Sequence, residues 1–450
     1  MRSKQNRRDF LRTSAAAGAG YWALGGIATA QSKSPNEQLQ VAGVGVGGKG
    51  DGDVKNASRS GKLVALCDTD SRVLEGMESV MKTGNTFADF REMLDSMGDQ
   101  IDVVTVSTPD HMHAPIAAAA MKAGKHVYCQ KPLTRTIWEA RRLQEIAKEM
   151  DVVTQMGNQY TCFNPMRKAA YQIKAGNLGN VKEVHVWTNR PVWPQGGPRP
   201  EPAEVPENLS WDLWLGVAPK RPYAPDAYHD FKWRGWWDFG TGALGDMACH
   251  TCNLPYMGLT MRDPVSVEAT TSGHNGDSYP EWSTIKFEFP ELNGRAPFTL
   301  YWYDGGKKPD NALFTDFKMK NDDGTPAPSS TGALIVGDKA KMYAAGDYAE
   351  KGIEIFGADE MDVDYPRARG GGDLAHNREF FAGIRDRSKK PMSNIVDYSG
   401  PLTETILLGN LSVWKGGEKV LWDAKTMTPL NDESLMKIVK PDYQNGYELI

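Results

Sequence analysis

Positive charge is in short supply: 52 Lys and Arg stand against 57 Asp and Glu, a formal charge of -5, so no basic field exists to hold nucleic acid phosphates. Long apolar runs are missing too, and no stretch reaches the roughly 20 residues that a membrane span requires. Neither a nucleic acid partner nor a membrane span is expected. Cysteine is scarce, with five residues spaced too unevenly for a disulfide scaffold. Cys67, Cys129 and Cys162 lie in or beside apolar runs and read as small buried residues. Cys249 and Cys252 flank His250, which invites a metal or redox reading; with no second ligand pair and no preceding short strand, the structural reading is preferred and no metal is expected. Internal repeats are absent. What is present, 450 residues at 40% hydrophobic, 24% charged and 10% aromatic, fits a globular chain of two to three domains.

The first thirty residues read as a transport address. Arg7-Arg8-Asp9-Phe10-Leu11-Arg12 precedes the uncharged, Ala- and Gly-rich stretch Ala15 to Ala30, and Ala28-Thr29-Ala30 supplies a small-residue cleavage pattern. This is similar to a twin-arginine signal, the rivals being an amphipathic helix or a cytoplasmic tail. The expectation is export, periplasmic or otherwise, through the twin-arginine machinery as a folded chain that already carries its cofactor. Without residues 1–30 the chain holds 47 basic and 56 acidic residues, a charge of -9.

From Leu39 onward short apolar runs alternate with longer helical ones. Leu39 to Val44, Leu63 to Cys67, Val103 to Val106, His126 to Cys129 and Val152 to Gln155 predict strands, with helices between several of them, the clearest at Ala114 to Ala123 and Thr136 to Met150. That rhythm predicts an α/β domain with a doubly wound parallel sheet over residues 35–158. After Asn158 a helix (Pro165 to Lys174) and a strand (Val181 to Asn189) lead into a Pro-, Gly- and Trp-rich excursion from Pro191 to about Phe239. Further strands are expected at Val265 to Thr271, Ser283 to Phe289, Phe298 to Tyr303, Ala333 to Val336, Lys341 to Tyr343 and Gly352 to Ile355. Residues 159–450 therefore predict an α+β domain on a mainly antiparallel open sheet. Two amphipathic helices, Asp373 to Arg385 and Pro401 to Trp414, are expected to fold back on the first domain.

Gly43-Val44-Gly45-Val46-Gly47-Gly48 places GxGxxG directly after an apolar run. Its first glycine permits a tight turn, the second a close approach of a pyrophosphate, and the third close helix packing. Asp68 ends the next strand, 20 residues past Gly48; a carboxylate there accepts from ribose hydroxyls and repels a 2′-phosphate, so NAD is favoured over NADP. Lys49-Gly50-Asp51-Gly52-Asp53 is a poor opening for the helix that should follow.

Three further segments carry a resemblance. Ser107-Thr108-Pro109-Asp110-His111-Met112-His113, then Gly124 to Leu133 with Gln130-Lys131-Pro132, then Gly242 to His250 resemble, in order, signature stretches of the Gfo/Idh/MocA family, the relatives of glucose-fructose oxidoreductase and inositol dehydrogenase. The resemblance implies that Lys131 lies beside the nicotinamide, that His250 is the base taking the hydroxyl proton, and that Asp246, one helical turn earlier, orients the imidazole. It also implies a cofactor set of Gly43, Gly45, Val46, Gly47, Gly48, Asp68, Ser107, Thr108, Pro109, His113, Gln130, Lys131 and Asn158. Each catalytic role has a plainer rival, Asp246 as a helix cap and His250 as a satisfied helix histidine. Two departures stand out: Gln130 replaces the glutamate usual before the lysine, and Asn253 stands where many members carry a second aspartate. His111 reads as an exposed residue.

Seven of the 13 tryptophans fall between Trp187 and Trp237, interleaved with arginines, a composition suited to stacking on sugar rings or to a Trp-rich core or dimer contact. Arg234, Trp236 and Trp237, just ahead of Asp246, are the expected substrate contacts with Lys131, Asp246 and His250. The resulting expectation is an exported oxidoreductase taking hydride from a secondary hydroxyl of a sugar, sugar derivative or glycoside to a tightly held NAD, in a possible homo-oligomer. The alternatives are glycoside cleavage by transient oxidation on the same fold and a catalytically silent sugar-binding protein.

Overall fold

The computed structural model describes residues 38–318, 324 and 328–448. The transport address at residues 1–30 lies outside them. Among the described residues no helix is long and apolar enough to cross a membrane.

Six strands, β1 (Gln40–Val44), β2 (Lys62–Cys67), β3 (Thr86–Phe87), β4 (Val103–Val106), β5 (His126–Cys129) and β6 (Thr154–Met156), form a parallel sheet in the order β3-β2-β1-β4-β5-β6. The order reverses between β1 and β4, which opens a crevice at their carboxyl ends, the place where doubly wound sheets bind ligands. Apart from the short edge strand β3 and the first residues of β2, the strands are almost wholly buried, as crossover helices require. The helix Ile137–Glu149 begins with a capping box: Thr136 Oγ1 accepts from the Glu139 N–H, and Glu139 Oε2 accepts from the Thr136 N–H.

Contrary to the propensity of its opening residues, a helix does start at Lys49. Gly50 is required there, since a Cβ would lie 2.0 Å from the Gly45 carbonyl oxygen. Ion pairs one turn apart, Lys49–Asp53 and Asp51–Lys55, offset part of the glycine cost.

The second sheet has nine strands in the order β13-β12-β11-β7-β10-β9-β8-β14-β15. They are β7 (Val181–Trp187), β8 (Ser266–Thr271), β9 (Ser283–Phe289), β10 (Phe298–Tyr303), β11 (Gly332–Gly337), β12 (Lys341–Ala345), β13 (Gly352–Phe356), β14 (Val420–Asp423) and β15 (Thr428–Pro429). Every neighbouring pair is antiparallel except β7 with β10. Strict alternation in β9 and β10 turns Ile285, Phe287, Phe298, Leu300 and Trp302 into the core and leaves the opposite side chains half-exposed.

Helices from the second half complete the first sheet. Phe380 and Phe381, on helix Gly372–Arg385, are fully buried against Val41, Val103, Tyr128 and Val153. The segment expected as one helix from Pro401 is two, Gly400–Leu407 and Gly409–Trp414. Arg141 of helix 137–149 grips Glu404 at 2.7 Å through two parallel hydrogen bonds.

Candidate functional site

A cavity of about 440 Å3 opens at the crevice between β1 and β4, within the range of ligand sites. Its floor is backbone. Gly45 has φ +75°, and a Cβ there would sit 2.7 Å from the Ser107 carbonyl group, so the β1 and β4 turns touch only because residue 45 has no side chain. Gly47, Gly48, Ser107, Thr108 and Pro109 border the same space.

At one end lies Asp68. Burial raises its pKa, while hydrogen bonds from the Asp70 and Val46 N–H groups favour the charged form. Each carboxylate oxygen takes one of these bonds and keeps a lone pair for a further donor.

At the other end Lys131 meets the helix Gly242–Thr251. Lys131 Nζ donates to Asp246 Oδ1 at 2.7 Å and to the Asp246 carbonyl at 3.1 Å; Arg234 Nε approaches the same Oδ1 at 3.3 Å. Burial alone would raise the Asp246 pKa, but the Lys131 and Arg234 charges hold it at about 2. His250, one turn on, is buried with Nδ1 unpartnered and its ring edge-on to Tyr348 at 4.8 Å. Burial, reinforced by Lys131, drives its pKa well below 6.5, so the imidazole is neutral at physiological pH. Asp246 touches Lys131 and Arg234 and no hydrogen bond joins it to His250, which corrects the expected carboxylate–imidazole pair. Its influence on His250 is through its charge alone.

Another carboxyl borders the cavity near Lys131. Asp110, at the start of helix Asp110–Lys122, accepts from Thr241 Oγ1 at 2.8 Å, and burial pushes its pKa to about 7. Asp110, on the cavity wall, and Asp246, behind Lys131, thus have pKa values pushed in opposite directions, as acid and base partners often do.

The roof is the excursion from 191 to 239. It docks on the end of β2: Ser71 N–H donates to the Asn208 carbonyl, Ser210 N–H to that of Thr69, and Asp70 accepts from Asn208 Nδ2 at 2.8 Å and lies 3.0 Å from His229 Nε2. Leu209, Trp211, Trp214, Tyr228, Trp233, Trp236 and Phe239 form a small core of the roof's own. Its indole N–H groups bond the roof's own backbone, Trp211 to Arg221, Trp233 to Asp230 and Trp236 to Ala227.

With this geometry in view, comparison with known proteins is informative. Residues 38–158 match the model of the oxidoreductase family, NAD-binding Rossmann fold, and residues 178–295 that of the oxidoreductase family, C-terminal alpha/beta domain. The chain belongs to the Gfo/Idh/MocA family. A levoglucosan dehydrogenase from Pseudarthrobacter phenanthrenivorans is 29% identical over 175 residues, 38% of this chain and 35% of that protein. A glycosyl hydrolase family 109 protein from Shewanella pealeana is 28% identical over 216 residues, 40% of this chain and 47% of that one. The matched stretches therefore span a third to a half of those relatives' lengths. Among solved structures, an inositol dehydrogenase homologue from Azotobacter vinelandii, complexed with NADH and myo-inositol, shares the fold at TM-score 0.56 and 16% identity, covering 86% of this chain and 98% of that one.

In this Gfo/Idh/MocA chain the expected site residues divide. Gly45, Gly47, Gly48, Asp68, Ser107, Thr108, Pro109, His113, Gln130, Lys131, Arg234 and His250 border the cavity. Gly43 stands behind it, where a Cβ would lie 2.6 Å from Val54, and the Val46 side chain is core with its N–H committed to Asp68. His113 bridges two loops, its ring nitrogens each 2.8 Å from the Thr108 or Pro132 carbonyl oxygen.

Four expectations are corrected. Asn158 is fully buried beneath the cavity, accepting from Ser393 Oγ, and its neighbour Gln159 is the one on the wall. Trp236 belongs to the roof's core, and Trp237 stacks on Tyr279 with a ring separation of 3.7 Å, so neither reaches the cavity; Trp214 and Trp233 do. His111 is fully buried, donating from Nε2 to the Trp214 carbonyl. Asn253 bonds Thr161 Oγ1 and Tyr398 away from the cavity. The five cysteines, by contrast, are as expected: all are buried, and all are free thiols.

Sequence reasoning passed over Lys49, Asp53, Asp110 and Tyr348. Lys49 and Asp53 carried a legible signal, an acid and a base four residues apart directly after GxGxxG; Tyr348, in the loop after β12, carried none. The residues present fit a dinucleotide: a glycine cradle a Cβ would fill, a carboxylate at the strand end, and a lysine opposite them.

Proposed function

We propose that this protein is an exported, NAD-retaining oxidoreductase that takes hydrogen from a secondary hydroxyl of a sugar, sugar derivative or glycoside. The observation that carries the reading is one cavity bordered by the glycine turn and Asp68 at one end and by Lys131 and His250, with Asp246 behind Lys131, at the other. Asp68 and Asp89 together at the cavity's edge favour NAD over NADP by repelling a 2′-phosphate. Export is proposed from the Arg7-Arg8 segment alone, and tight cofactor binding from the roof pinned through Asp70. The half-exposed outer face of the open sheet supports a homo-oligomer.

In this scheme bound NAD supplies the two-electron acceptor. Neutral His250 takes the hydroxyl proton, and the Lys131 ammonium stabilises alkoxide character as it leaves. Ionised Asp246 fixes the position of the Lys131 ammonium, and Arg234, seated 4.2 Å over Trp233, braces Asp246 from the roof. Because the His250 pKa is driven below 6.5, turnover should persist well below pH 6.5 before imidazole protonation removes the base.

A second reading is glycoside cleavage through transient oxidation next to the glycosidic carbon. Asp110 favours it: a carboxyl with a pKa of about 7 can hold a proton for a leaving oxygen. The family 109 glycosyl hydrolase relatives point the same way. Incubating the protein with a panel of sugars and glycosides, and assaying ketone against free leaving group, separates the two. Turnover of none by a protein that binds sugar would leave a silent binding protein.

A further inference from the structure

Behind the Lys131 loop three donors converge on one carboxylate that does not itself border the cavity. Asp53, only 3% exposed, accepts from Gln130 Nε2 at 2.7 Å, Ser107 Oγ at 2.8 Å and Lys49 Nζ at 2.9 Å. All three donors belong to residues on the cavity wall. Lys49 also reaches Asp373 at 3.2 Å; burial lowers its pKa, but the two carboxylates more than compensate and raise it.

This arrangement dictates what residue 130 can be. A carboxylate only accepts, so the Gln130 amide must turn its NH2 toward Asp53. Its Oε1 is then left to accept the Lys131 N–H, at 3.2 Å. Gly157 closes the other side, where a Cβ would fall 2.5 Å from Gln130 Nε2. A glutamate at 130 would offer no donor and would press a second carboxylate against Asp53 in a site with little room for water.

We propose that Asp53 is the positioning residue of the Lys131 loop: it orients Gln130, through Gln130 the backbone at Lys131, and it carries from the neighbouring helix the negative charge that position 130 lacks. Ser107 and Lys49 tie the β4 turn and the start of the glycine helix to the same point. The cofactor turn and the lysine loop therefore share one anchor. The inference rests on Lys131 being the lysine at the reacting end of the cavity.

The test is a cycle of Asp53→Asn, Gln130→Glu and the double variant in the full chain, read by melting midpoint from pH 5 to 8 and by NAD titration. Gln130→Glu should melt several degrees below the parent at pH 8 and lose roughly tenfold in NAD affinity, a coupling typical of contacting pairs. The opposed carboxyls raise a folded-state pKa above the ordinary value of about 4.3, so the loss grows as pH rises and the gap to the parent narrows toward pH 5. The double variant exchanges amide and carboxylate, restores one donor facing one acceptor, and should recover most of both losses. Additive losses in the double variant, or a Gln130→Glu protein indistinguishable from the parent at every pH, would overturn the proposal. Neither readout needs a sugar: rescue without turnover of any sugar retires the substrate reading and keeps the anchor, whereas turnover with additive losses does the reverse.

Discussion

Along β1 and β4 the cavity is bordered by main chain, at Gly45, Gly47, Gly48 and the Ser107–Pro109 turn, whereas the roof meets it through the side chains of Trp214, Phe231, Trp233 and Arg234. The first wall is set by local spacing: a strand end, a glycine at positive φ, a helix start. The second is set by burial, since the roof must satisfy its own indole N–H groups and hold its own small core before it can present anything to a ligand. A backbone wall is thus sensitive to added atoms and a side-chain wall to removed ones.

That contrast can be broken at graded cost. Trp236→Ala should destabilise the protein by about 3–5 kcal/mol, the usual cost of emptying a large aromatic site, without altering the sugar preference of the folded fraction. Thermal melting and KM values check both halves, and a shifted preference with unchanged stability would return Trp236 to the substrate wall. Lys131→Met, where the two walls meet, should lower turnover by about 10²–10³-fold, as loss of an oxyanion-stabilising donor does, while NAD still binds. Gly45→Ala should weaken NAD binding roughly tenfold to a hundredfold, the equivalent of about 1–3 kcal/mol of backbone strain. Fluorescence titration measures it, and unchanged affinity would mean that the β1 and β4 turns part easily.

A fourth effect is a slope with pH rather than a fixed loss. The folded Asp110 pKa of about 7 lies above the unfolded value of about 3.9, so this group favours the folded state at low pH and costs stability as pH rises through that window. Asp110→Asn removes the proton uptake. Its stability relative to the parent should therefore increase between about pH 4 and 7 and level off above. A constant difference across that range would show that Asp110 is ionised throughout.

The cofactor wall was largely legible because its determinants are close in sequence. GxGxxG and the aspartate directly after β2 are each read within a few turns of chain. The roof was not, because a tryptophan in a core and one on a wall look alike until the chain around it is folded. Trp236 bonding the Ala227 carbonyl is a fact of the roof's fold, invisible to composition. The same holds for charge: Asp246 and Asp110 are both acids near a helix start, and contacts with Lys131, 115 residues from Asp246, and with Arg234 hold Asp246 low while burial raises Asp110. Short edge strands such as β14 and β15 carry too few alternating residues to be read, and His111 looked exposed because its cover, Trp214, is 103 residues away.

The most direct test of the account is to purify the chain without added cofactor, denature it, assay the released nicotinamide and its redox state, and repeat after exposure to the panel of sugars and glycosides. The account predicts NAD in near-stoichiometric amount that becomes NADH with one class of sugar. Protein that is empty and also fails to bind added NAD would contradict it.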